Sequence, residues 1–391
     1  MRHKKLLVGA GLSLLVLLVA DQVVQHVALS DGVFMGRPVA PFDPPIFCEP
    51  QAKRLALIER SLAIGTPKPE SLRFDAELGW CNPKDGGGEM FRYDWAGARV
   101  GEKPLSRQKP EGGRTLALYG CSMTHGDEVG ALETWAAQLD GLLPGVEVAN
   151  MGVSAFGIDQ ALMRQKRDGL ALEADEVWMV WMPQATLRIT TLYRPLLRHW
   201  SSDVAFKPRF KLGSEGKLVV VPNPAQSLAD IPLLLGDQEL LQERLAGDDY
   251  WAKRGGSAYS ERGSCPLHYS GFARVLLTAY EATGRELDPH LEAGHSTRVL
   301  LEAIVMGSAQ EAEAGGATFR LVIIPGPDDL AAAAAGEAPW AGTTRSLREE
   351  GVEVVDLTEM LLAADSPYAE HGHLNAGGSR LAAEFLSTIG G

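Results

Sequence analysis

A serine placed directly after an apolar run is the first group in this sequence that can do chemistry. Ser122 lies in the segment GCSMTHG, residues 120–126, which follows the run TLALY. Small residues around it permit a sharp turn that presents the hydroxyl at a helix start, where backbone N–H groups can stabilise an oxyanion. A serine in this position can equally cap the following helix. A catalytic role therefore requires a base that reaches the same place.

A histidine near the C-terminal end can supply that base. His373 lies in the loop SPYAEHGHLNAGG, residues 366–378, just before the last predicted helix. A carboxylate that accepts a hydrogen bond from the other ring nitrogen would orient it, and Glu370 is the nearest candidate, with Asp365 as a second. A lone histidine is more often structural than catalytic. The nearby His371 suggests a metal site, but no Asp/His cluster accompanies it, so we predict no metal and no cofactor.

Two further loops offer hydrogen-bond donors for an oxyanion. Gly152 follows the second predicted strand and can bring its backbone N–H close to a negative charge, in addition to the N–H of Ser122. Gln184 follows the third strand in the segment MPQA and can donate from its side-chain amide. Each has a plain alternative: Gly152 as part of a simple turn, and Gln184 as a solvent-facing side chain.

These groups need a layered α/β domain to bring them together. From residue 114 onward, short apolar runs alternate with helical stretches, which is typical of a mainly parallel sheet covered by helices. Strands are predicted at 115–119, 146–151, 176–182, 319–325 and 352–357, and helices at 132–143, 157–170, 296–314, 343–350 and 376–389. Loops at the carboxyl ends of such strands converge. We therefore expect a three-layer α/β/α fold with five strands and the site at that edge.

Composition separates the chain into three parts. Residues 1–30 form an N-terminal anchor or signal segment, residues 31–113 a loop-rich lead-in with one helix at 51–63, and residues 114–391 the α/β domain. Between the third and fourth strands lies an insert, about 186–290, which is too long for a plain connection. We predict that it holds a hairpin turning at Gly213–Gly216 and a cap over the site. The alanine-rich patch from Ala331 is predicted to be a surface loop.

The N-terminal segment resembles a membrane-targeting signal. The basic residues RHKK, 2–5, precede an uncharged apolar run from Leu6 to Ala20. The run is somewhat short for a spanning helix, which needs about 20 residues, and Leu18-Val19-Ala20 is a poor cleavage site because a leucine stands where a small residue is favoured. We expect an uncleaved single-pass anchor in the inner membrane with the rest on the periplasmic side, or a secreted protein if the segment is cleaved.

Composition and cysteine content limit the remaining possibilities. The 391 residues, 45% hydrophobic, are enough to bury a full core, and the net charge of −13 comes without a basic stripe. Nucleic acid is therefore not an expected partner. The four cysteines, Cys48, Cys81, Cys121 and Cys265, lack metal-ligand spacing. Cys48 and Cys81 can pair in an oxidising compartment, whereas Cys121 is interpreted as a small buried hydrophobe.

In their order, these motifs resemble those of the SGNH (GDSL-like) hydrolase superfamily. Its members carry Gly-Asp-Ser after the first strand, a glycine after the second, Gly-x-Asn-Asp after the third and Asp-x-x-His near the C-terminus. The matching segments here are Gly120-Cys121-Ser122, Gly152, Pro183-Gln184 and Glu370-x-x-His373. The stretches FDAELGWCNPKDG and YDWAGAR are similar to a lead-in of large bacterial members. Cys121, Gln184 and Glu370 depart from the usual Asp, Asn and Asp.

The resemblance implies an extracytoplasmic serine esterase with Ser122, His373 and Glu370 as its triad. The implied substrates are acyl esters, above all acetyl esters, of a cell-envelope or exported polysaccharide, or small esters. Two alternatives remain open: an O-acyltransferase on the same glycans, and a non-catalytic glycan-binding or assembly component. Aromatic residues of the insert can stack on sugars under either reading, or form core: Trp200, Tyr250, Trp251 and Tyr269.

Overall fold

The computed structural model describes residues 2–29, 33–34, 37–40, 48–64, 73–198, 201–254, 266–286 and 290–389. The chain divides into two compact units. The first comprises Met1–Thr66, Tyr193–Ala205 and Leu228–Asp288, and the second Pro67–Leu192, Phe206–Ser227 and Pro289–Gly391. This division differs from the predicted one, because much of the lead-in belongs with the sheet and the insert is shared between the two units.

The predicted helices of the α/β domain are all present, with ends displaced by a few residues. Within the described residues the helices are α1 (Arg2–Val23), α2 (Glu49–Ile64), α3 (Ser122–His125), α4 (Trp135–Leu142), α5 (Ile158–Asp168), α6 (Asp230–Gly236), α7 (Gln238–Arg244), α8 (Asp249–Arg254), α9 (Gly271–Glu286), α10 (Ser296–Ala314), α11 (Pro327–Ala335), α12 (Ala341–Glu349), α13 (Thr358–Leu362) and α14 (Ala376–Ser387). The patch from Ala331 was predicted to be a loop, but its start belongs to α11, because alanine has the highest helix propensity.

Five parallel strands form the central sheet of the second unit. The strands of the described chain are β1 (Val33–Phe34), β2 (Arg37–Pro38), β3 (Arg73–Asp75), β4 (Gly79–Cys81), β5 (Gly86–Gly87), β6 (Arg92–Tyr93), β7 (Arg114–Tyr119), β8 (Val146–Asn150), β9 (Glu176–Trp181), β10 (Arg209–Leu212), β11 (Leu218–Val221), β12 (Thr318–Ile323) and β13 (Glu353–Asp356). The sheet order is β13-β12-β9-β7-β8, and every neighbouring pair is parallel. Counted along the chain this is the flavodoxin-like order 2-1-3-4-5. The predicted α/β/α fold is confirmed.

Apolar strands covered by helices account for this sheet. Residues 116–119 of β7, 177–181 of β9 and 321–323 of β12 are all buried, as expected for parallel strands with helices on both faces. The helices α5 and α10 pack on each other and on the sheet, while α4 packs on β8 and on α14. This packing fixes the loops at the carboxyl ends of β7, β8, β9 and β12.

The lead-in is an integral part of the second unit. It forms two short antiparallel hairpins, β3–β4 and β5–β6. From this region Trp80 Nε1 donates a hydrogen bond to the carbonyl of Ser154 at 2.9 Å, and Asn82 Nδ2 donates to the carbonyl of Gly152 at 2.9 Å. The lead-in therefore supports the loop that follows β8, a role that its Pro- and Gly-rich composition does not indicate.

The insert contributes a hairpin to the second unit. Strands β10 and β11 pair antiparallel around the predicted turn at Gly213–Gly216. Just before β10, Lys207 Nζ lies 2.6 Å from Asp159 Oδ2 of α5, and both side chains are fully buried. Removing one partner of such a pair costs about 3–5 kcal/mol because a buried charge loses its counter-charge. This ion pair therefore fastens the hairpin to the start of α5.

In the first unit, the end of α1 is held by the start of α9. Asp21 Oδ1 accepts hydrogen bonds from Ser270 Oγ at 2.8 Å and from the Phe272 N–H at 2.9 Å. Gly271 permits this close approach, since a Cβ there would lie 2.6 Å from the backbone nitrogen of Gln25. The polar residues that interrupt the N-terminal apolar run thus have a structural role.

A single-pass membrane anchor was predicted for the N-terminal segment. No helix in the described part of the chain is long and apolar enough to cross a membrane. The apolar run Leu6–Ala20 falls within α1, and its side chains before residue 12 lie outside the described residues.

The cysteines and the aromatic residues of the insert follow the predictions only in part. Cys48, Cys81 and Cys121 are free thiols, so the pairing of the first two is not formed, and Cys121 is buried as interpreted. Among the aromatic residues, Tyr250 is buried, Trp251 is half-buried and Tyr269 is exposed. Cys265 and Trp200 lie outside the described residues.

Candidate active site

Ser122 begins a one-turn helix at the carboxyl end of β7. The turn α3 has four residues and ends at Gly126, whose N–H donates to the Ser122 carbonyl at 2.7 Å. Gly126 has φ of 84°, a left-handed conformation that favours glycine. As the first residue of the helix, Ser122 has an N–H without a partner inside the helix. Its side chain is buried, and its hydroxyl makes no hydrogen bond to any described residue.

Glu128 connects the turn that carries Ser122 to the loop that carries His373. Its Oε2 accepts hydrogen bonds from His373 Nδ1 at 2.7 Å and from the His373 N–H at 3.0 Å, and its Oε1 accepts from the His371 N–H at 2.9 Å. Burial raises the pKa of the Glu128 carboxyl, but these three bonds outweigh burial and hold the pKa below its usual value. An ionised Glu128 therefore fixes the histidine ring through Nδ1–H and leaves Nε2 as the basic nitrogen.

The sequence-based choice of the carboxylate is corrected by this contact. Glu370 is exposed and makes no hydrogen bond to His373, although it lies only three residues away. Asp365 is also exposed, and its Oδ1 accepts a 3.4 Å bond from the Ser366 hydroxyl. Glu128 accepts the hydrogen bond that was predicted for Glu370 or Asp365. Its bonds to two main-chain N–H groups hold the histidine loop against the turn that carries Ser122.

Main-chain geometry shapes the loop around His373. The Ala369 N–H donates to the His373 carbonyl at 2.8 Å, and Gly372 turns the chain with φ of 86°. At the end of the loop, Asn375 caps α14 by accepting the Gly378 N–H at 2.9 Å. A Cβ at Gly378 would lie 2.2 Å from the Pro367 carbonyl oxygen, so only glycine fits there. The loop is therefore specified by its glycines and its asparagine.

The loop after β8 contains the predicted oxyanion donor Gly152, and the role of that residue stays a prediction. The Gly152 N–H is already bonded to Asn150 Oδ1 at 3.1 Å, and a Cβ at Gly152 would lie 2.4 Å from the His125 nitrogen. Gly152 thus permits close packing against the turn that carries Ser122. Ala155, three residues on, has φ of 64°, an unusual conformation for alanine, and its N–H makes no hydrogen bond within the described chain. Its unpaired N–H makes Ala155 a further candidate donor in this loop, beside Gly152.

Gln184 lies at the start of the loop after β9, packed against the loop after β12. Its N–H donates to Asp329 Oδ2 at 2.9 Å, and the Gly326 N–H donates to the same oxygen at 3.1 Å. Its side-chain amide packs on Gly326, where a Cβ would lie 2.3 Å from Oε1. Burial raises the pKa of Asp329 to about 6. The role of the Gln184 amide as an oxyanion donor stays a prediction.

A second imidazole–carboxylate pair lies on the same turn as Ser122. His125 Nδ1 lies 2.6 Å from Asp127 Oδ1, and its Nε2 lies 2.9 Å from the hydroxyl of Tyr93. The Ser154 hydroxyl also donates to Asp127 Oδ1, at 2.7 Å. Burial lowers the pKa of His125, so it is neutral, and burial raises the pKa of Tyr93, so it is protonated. Burial also raises the pKa of Asp127, but the bonds from His125 and Ser154 outweigh it and lower that pKa.

The buried Arg99 of the lead-in donates hydrogen bonds to carbonyl groups at the end of the turn that carries Ser122. Its guanidinium donates to the carbonyls of His125 and Val129 at 2.7 Å each, and to that of Gly126. The same guanidinium lies over the ring of Phe91, 4.6 Å from its centroid. The turn that carries Ser122 and Glu128 is therefore braced by a cation from outside the sheet.

Several of these residues escaped the sequence analysis for one reason. Glu128 and Asp127 follow Ser122 closely in the sequence, but their contacts with His373 and Ser154 join positions far apart in the chain. The available signal was the pair Asp127-Glu128 directly after the turn glycine. Among the described residues, no group of three or more His, Cys, Asp or Glu is placed to hold a metal ion.

In strand order as well as motif order, the chain resembles the SGNH superfamily. No family model matches it, and no curated protein matches it. Solved structures that it resembles include a putative lipolytic protein of the G-D-S-L family from Desulfitobacterium hafniense, at 13% identity over 70% of this chain and 98% of that chain with a TM-score of 0.31. Another is a G-D-S-L lipolytic protein from Veillonella parvula, at 10% identity over 71% and 98% with a TM-score of 0.35.

An acetyl xylan esterase, AlAXEase, is a third, at 11% identity over 71% of this chain and 99% of that chain with a TM-score of 0.34. These similarities are weak. The fold assignment rests on the sheet order of this chain, and its chemistry has to be derived from its own side chains.

Proposed function

We propose that the protein is a serine esterase of the SGNH type, with Ser122 as nucleophile, His373 as general base and Glu128 as the carboxylate that orients it. The observation that carries the proposal is the three-bond contact of Glu128 with the histidine loop. Glu128 lies six residues after Ser122, so this contact holds the imidazole at the edge of the sheet where the serine begins α3.

The reaction follows from these roles. His373 Nε2 takes the proton of the Ser122 hydroxyl as the oxygen attacks an ester carbonyl, and ionised Glu128 stabilises the imidazolium that forms. The tetrahedral oxyanion receives the N–H groups of Ser122 and Ala155, with the amide of Gln184 as a third donor. The imidazolium then protonates the departing alcohol, and water repeats the sequence on the acyl-enzyme. The Ser122 hydroxyl and the His373 ring are not hydrogen-bonded in the structure, so the reaction requires this contact to form when the ester binds.

A small recess lies next to Cys121, the residue before Ser122, and neither Ser122 nor His373 lines it. It opens beside Cys121 and is lined by residues from the loops after β7, β8 and β9, including Phe156, Met182 and Ala185. Its cavity volume for a water-sized sphere is about 10 Å³, which is room for about one group of the size of water or methyl. We propose acetyl esters of a cell-envelope or exported polysaccharide as substrates, with the polymer assigned from the sequence resemblance alone.

A second candidate is a non-catalytic glycan-binding relative. Two observations favour it: no hydrogen bond joins the Ser122 hydroxyl to the His373 ring, although both residues are described, and Cys121 stands where the superfamily has aspartate. An O-acyltransferase would use the same site with a sugar hydroxyl in place of water.

Labelling and turnover distinguish these candidates. A fluorophosphonate is expected to modify Ser122, and Ser122→Ala and His373→Ala are expected to lower hydrolysis of 4-nitrophenyl acetate by several orders of magnitude. His371→Ala is the matched control for His373→Ala, because only the backbone of His371 contacts Glu128. Absence of labelling and of turnover in the natural protein would leave the binding role. Acetyl transfer to an added sugar in preference to water would indicate the transferase.

A further inference from the structure

A polar cluster of Tyr93, His125, Asp127 and Ser154 lies next to Ser122 in the fold, because His125 belongs to the same turn. It has no part in the reaction described above. All of its hydrogen bonds lead to the carboxylate of Asp127. The Tyr93 hydroxyl donates to His125 Nε2, His125 Nδ1–H donates to Asp127, and the Ser154 hydroxyl donates to the same oxygen of Asp127. A neutral histidine has one donor and one acceptor nitrogen, so both are satisfied. The cluster therefore joins the turn after β7 to the loop after β8.

Packing around His125 leaves its ring little freedom. The imidazole side chain is 1% exposed, and the ring of Phe91 lies edge-on to it with centroids 4.9 Å apart. The ring of Tyr93 lies on it at 5.8 Å. Because the ring cannot turn, it fixes the position of the Asp127 carboxylate, and Asp127 in turn fixes the hydroxyl that binds it.

Ser154, whose hydroxyl Asp127 fixes in this way, directly precedes a strained residue, Ala155. Ala155 has φ of 64°, a left-handed conformation that an alanine keeps only when its surroundings impose it. Ser154, just before it, is held twice: its hydroxyl binds Asp127, and its carbonyl accepts a bond from Trp80 Nε1 at 2.9 Å. Just after it, the carbonyl of Phe156 accepts a bond from Arg188 at 2.9 Å.

We propose that Asp127 is a positioning residue that, through the hydroxyl of Ser154, sets the Ala155 N–H relative to Ser122. This rests on the proposed esterase function. Two consecutive carboxylates then have different roles. Glu128 orients the base that acts on the serine, and Asp127 orients the loop that receives the oxyanion. Neither the hydroxyl nor the Asp127 carboxylate has to touch the substrate.

The test is a double-mutant cycle with steady-state kinetics. Ser154→Ala and Asp127→Asn are each expected to lower kcat on 4-nitrophenyl acetate by about 10- to 100-fold, as a displacement near 1 Å does, and to leave KM within about twofold. The two changes act on one contact, so the double variant is expected to be no slower than the slower single variant. Ser154→Thr keeps a hydroxyl and is expected to recover most of the lost rate.

A matched control separates this role from a structural one. Ser106→Ala removes an equivalent serine–carboxylate bond, from Ser106 Oγ to Glu147 at 2.6 Å, on an exposed surface, and its kcat is expected to equal that of the natural protein. If Asp127→Asn does not fold, Ser154→Ala and Ser154→Thr carry the test alone. An unchanged kcat in Ser154→Ala, or rate losses that multiply in the double variant, would overturn the proposal. A natural protein without turnover or Ser122 labelling would instead overturn the esterase function itself.

Discussion

The carboxylate that holds His373 is the residue on which the chemistry is most directly testable. Glu128→Gln keeps the size of the side chain but removes its charge, so the imidazolium loses its stabilising partner and the ring loses its fixed tautomer. We expect kcat for acetyl-ester hydrolysis to fall by about 10²- to 10⁴-fold. The measurement is kcat and KM for the variant beside the natural protein.

Glu370→Gln is the control for this change. It alters the same type of side chain in the histidine loop, but Glu370 is exposed and does not contact the ring. Its kcat is expected to stay within about twofold of the natural value, as for most surface changes. If Glu370→Gln were the slower of the two variants, Glu128 would not be the orienting carboxylate.

Single residues could be predicted from the sequence where local pattern specifies them, and not elsewhere. Ser122 and His373 follow or precede recognisable elements, so their placement at one sheet edge was predictable. The partner of His373 was not, because the contact with Glu128 joins positions 245 residues apart. The same holds for the backbone conformation of Ala155, because the residue before it, Ser154, is bonded to Asp127 and Trp80, which are distant in the chain.

At the scale of elements, the junction between the histidine loop and α14 depends on one glycine. Gly378→Ala would place a Cβ 2.2 Å from the Pro367 carbonyl, so the loop has to shift and carry His373 with it. We expect a loss of about 1–3 kcal/mol of stability, as for other overpacked sites, and a marked fall in kcat. Thermal unfolding and steady-state kinetics measure the two effects.

The neighbouring glycine provides the comparison. A Cβ at Gly377 would meet only Asn375 Oδ1, at 3.3 Å, and helix propensity favours alanine there. Gly377→Ala is therefore expected to retain activity and stability. Equal behaviour of the two alanine variants would show that the close contact at Gly378 is not limiting.

The start of α11 confers a pH dependence on stability. Burial raises the pKa of Asp329 from 3.8 to about 6, so the folded state binds the proton more tightly than the unfolded state. This contribution is fully present below pH 3.8 and is lost as the pH rises through about 6. Between pH 5 and 7.5, Asp329→Asn is expected to remove on the order of 1 kcal/mol of the pH-dependent loss of stability. Denaturant unfolding at both pH values measures it. Asp328→Asn is expected to reduce the pH dependence much less than Asp329→Asn, because the charge of Asp328 is the smaller of the two causes that raise the pKa of Asp329.

The elements themselves were largely predictable because burial governs them. The strands of the sheet are short apolar runs enclosed on both faces, and their predicted bounds differ from the observed ones by one or two residues. Helix α11 was missed because the run of alanines in its second half carries no amphipathic pattern, although its propensity is helical. The supports from the lead-in were missed because an arginine such as Arg99 in a loop gives no sign of burial.

At the scale of the whole molecule, the later residues of the N-terminal segment, Asp21 and Gln25, are bonded to the start of α9 in the first unit. Deletion of residues 1–20 leaves Asp21 in place to cap α9, whereas deletion of residues 1–29 removes Asp21 and the contact of Gln25 with Arg274. We expect the longer deletion to destabilise α9 by at least the about 0.5–2 kcal/mol of a lost cap. Hydrogen exchange of the α9 amides should therefore accelerate in the longer deletion and stay unchanged in the shorter one. Equal exchange in both would show that the Asp21 contact is dispensable.

The periplasmic location stays a prediction from the basic residues and the apolar run at the N-terminus. Fusion of a reporter that is active only after export, placed after residue 391, is expected to give signal if the chain leaves the cytoplasm. Signal that depends on residues 1–20 would assign export to that segment, and its absence in the full chain would contradict the predicted location.

The contact of Glu128 with main-chain N–H groups leaves position 371 open to chemical modification. The residue there contributes its N–H, and its side chain is exposed beside the histidine loop. A cysteine at this position, His371→Cys, therefore offers an attachment point for an environment-sensitive fluorophore whose emission would respond to ligand binding, with the register of the loop still fixed by Glu128. We expect the same position to tolerate other side chains, because only its N–H contacts Glu128.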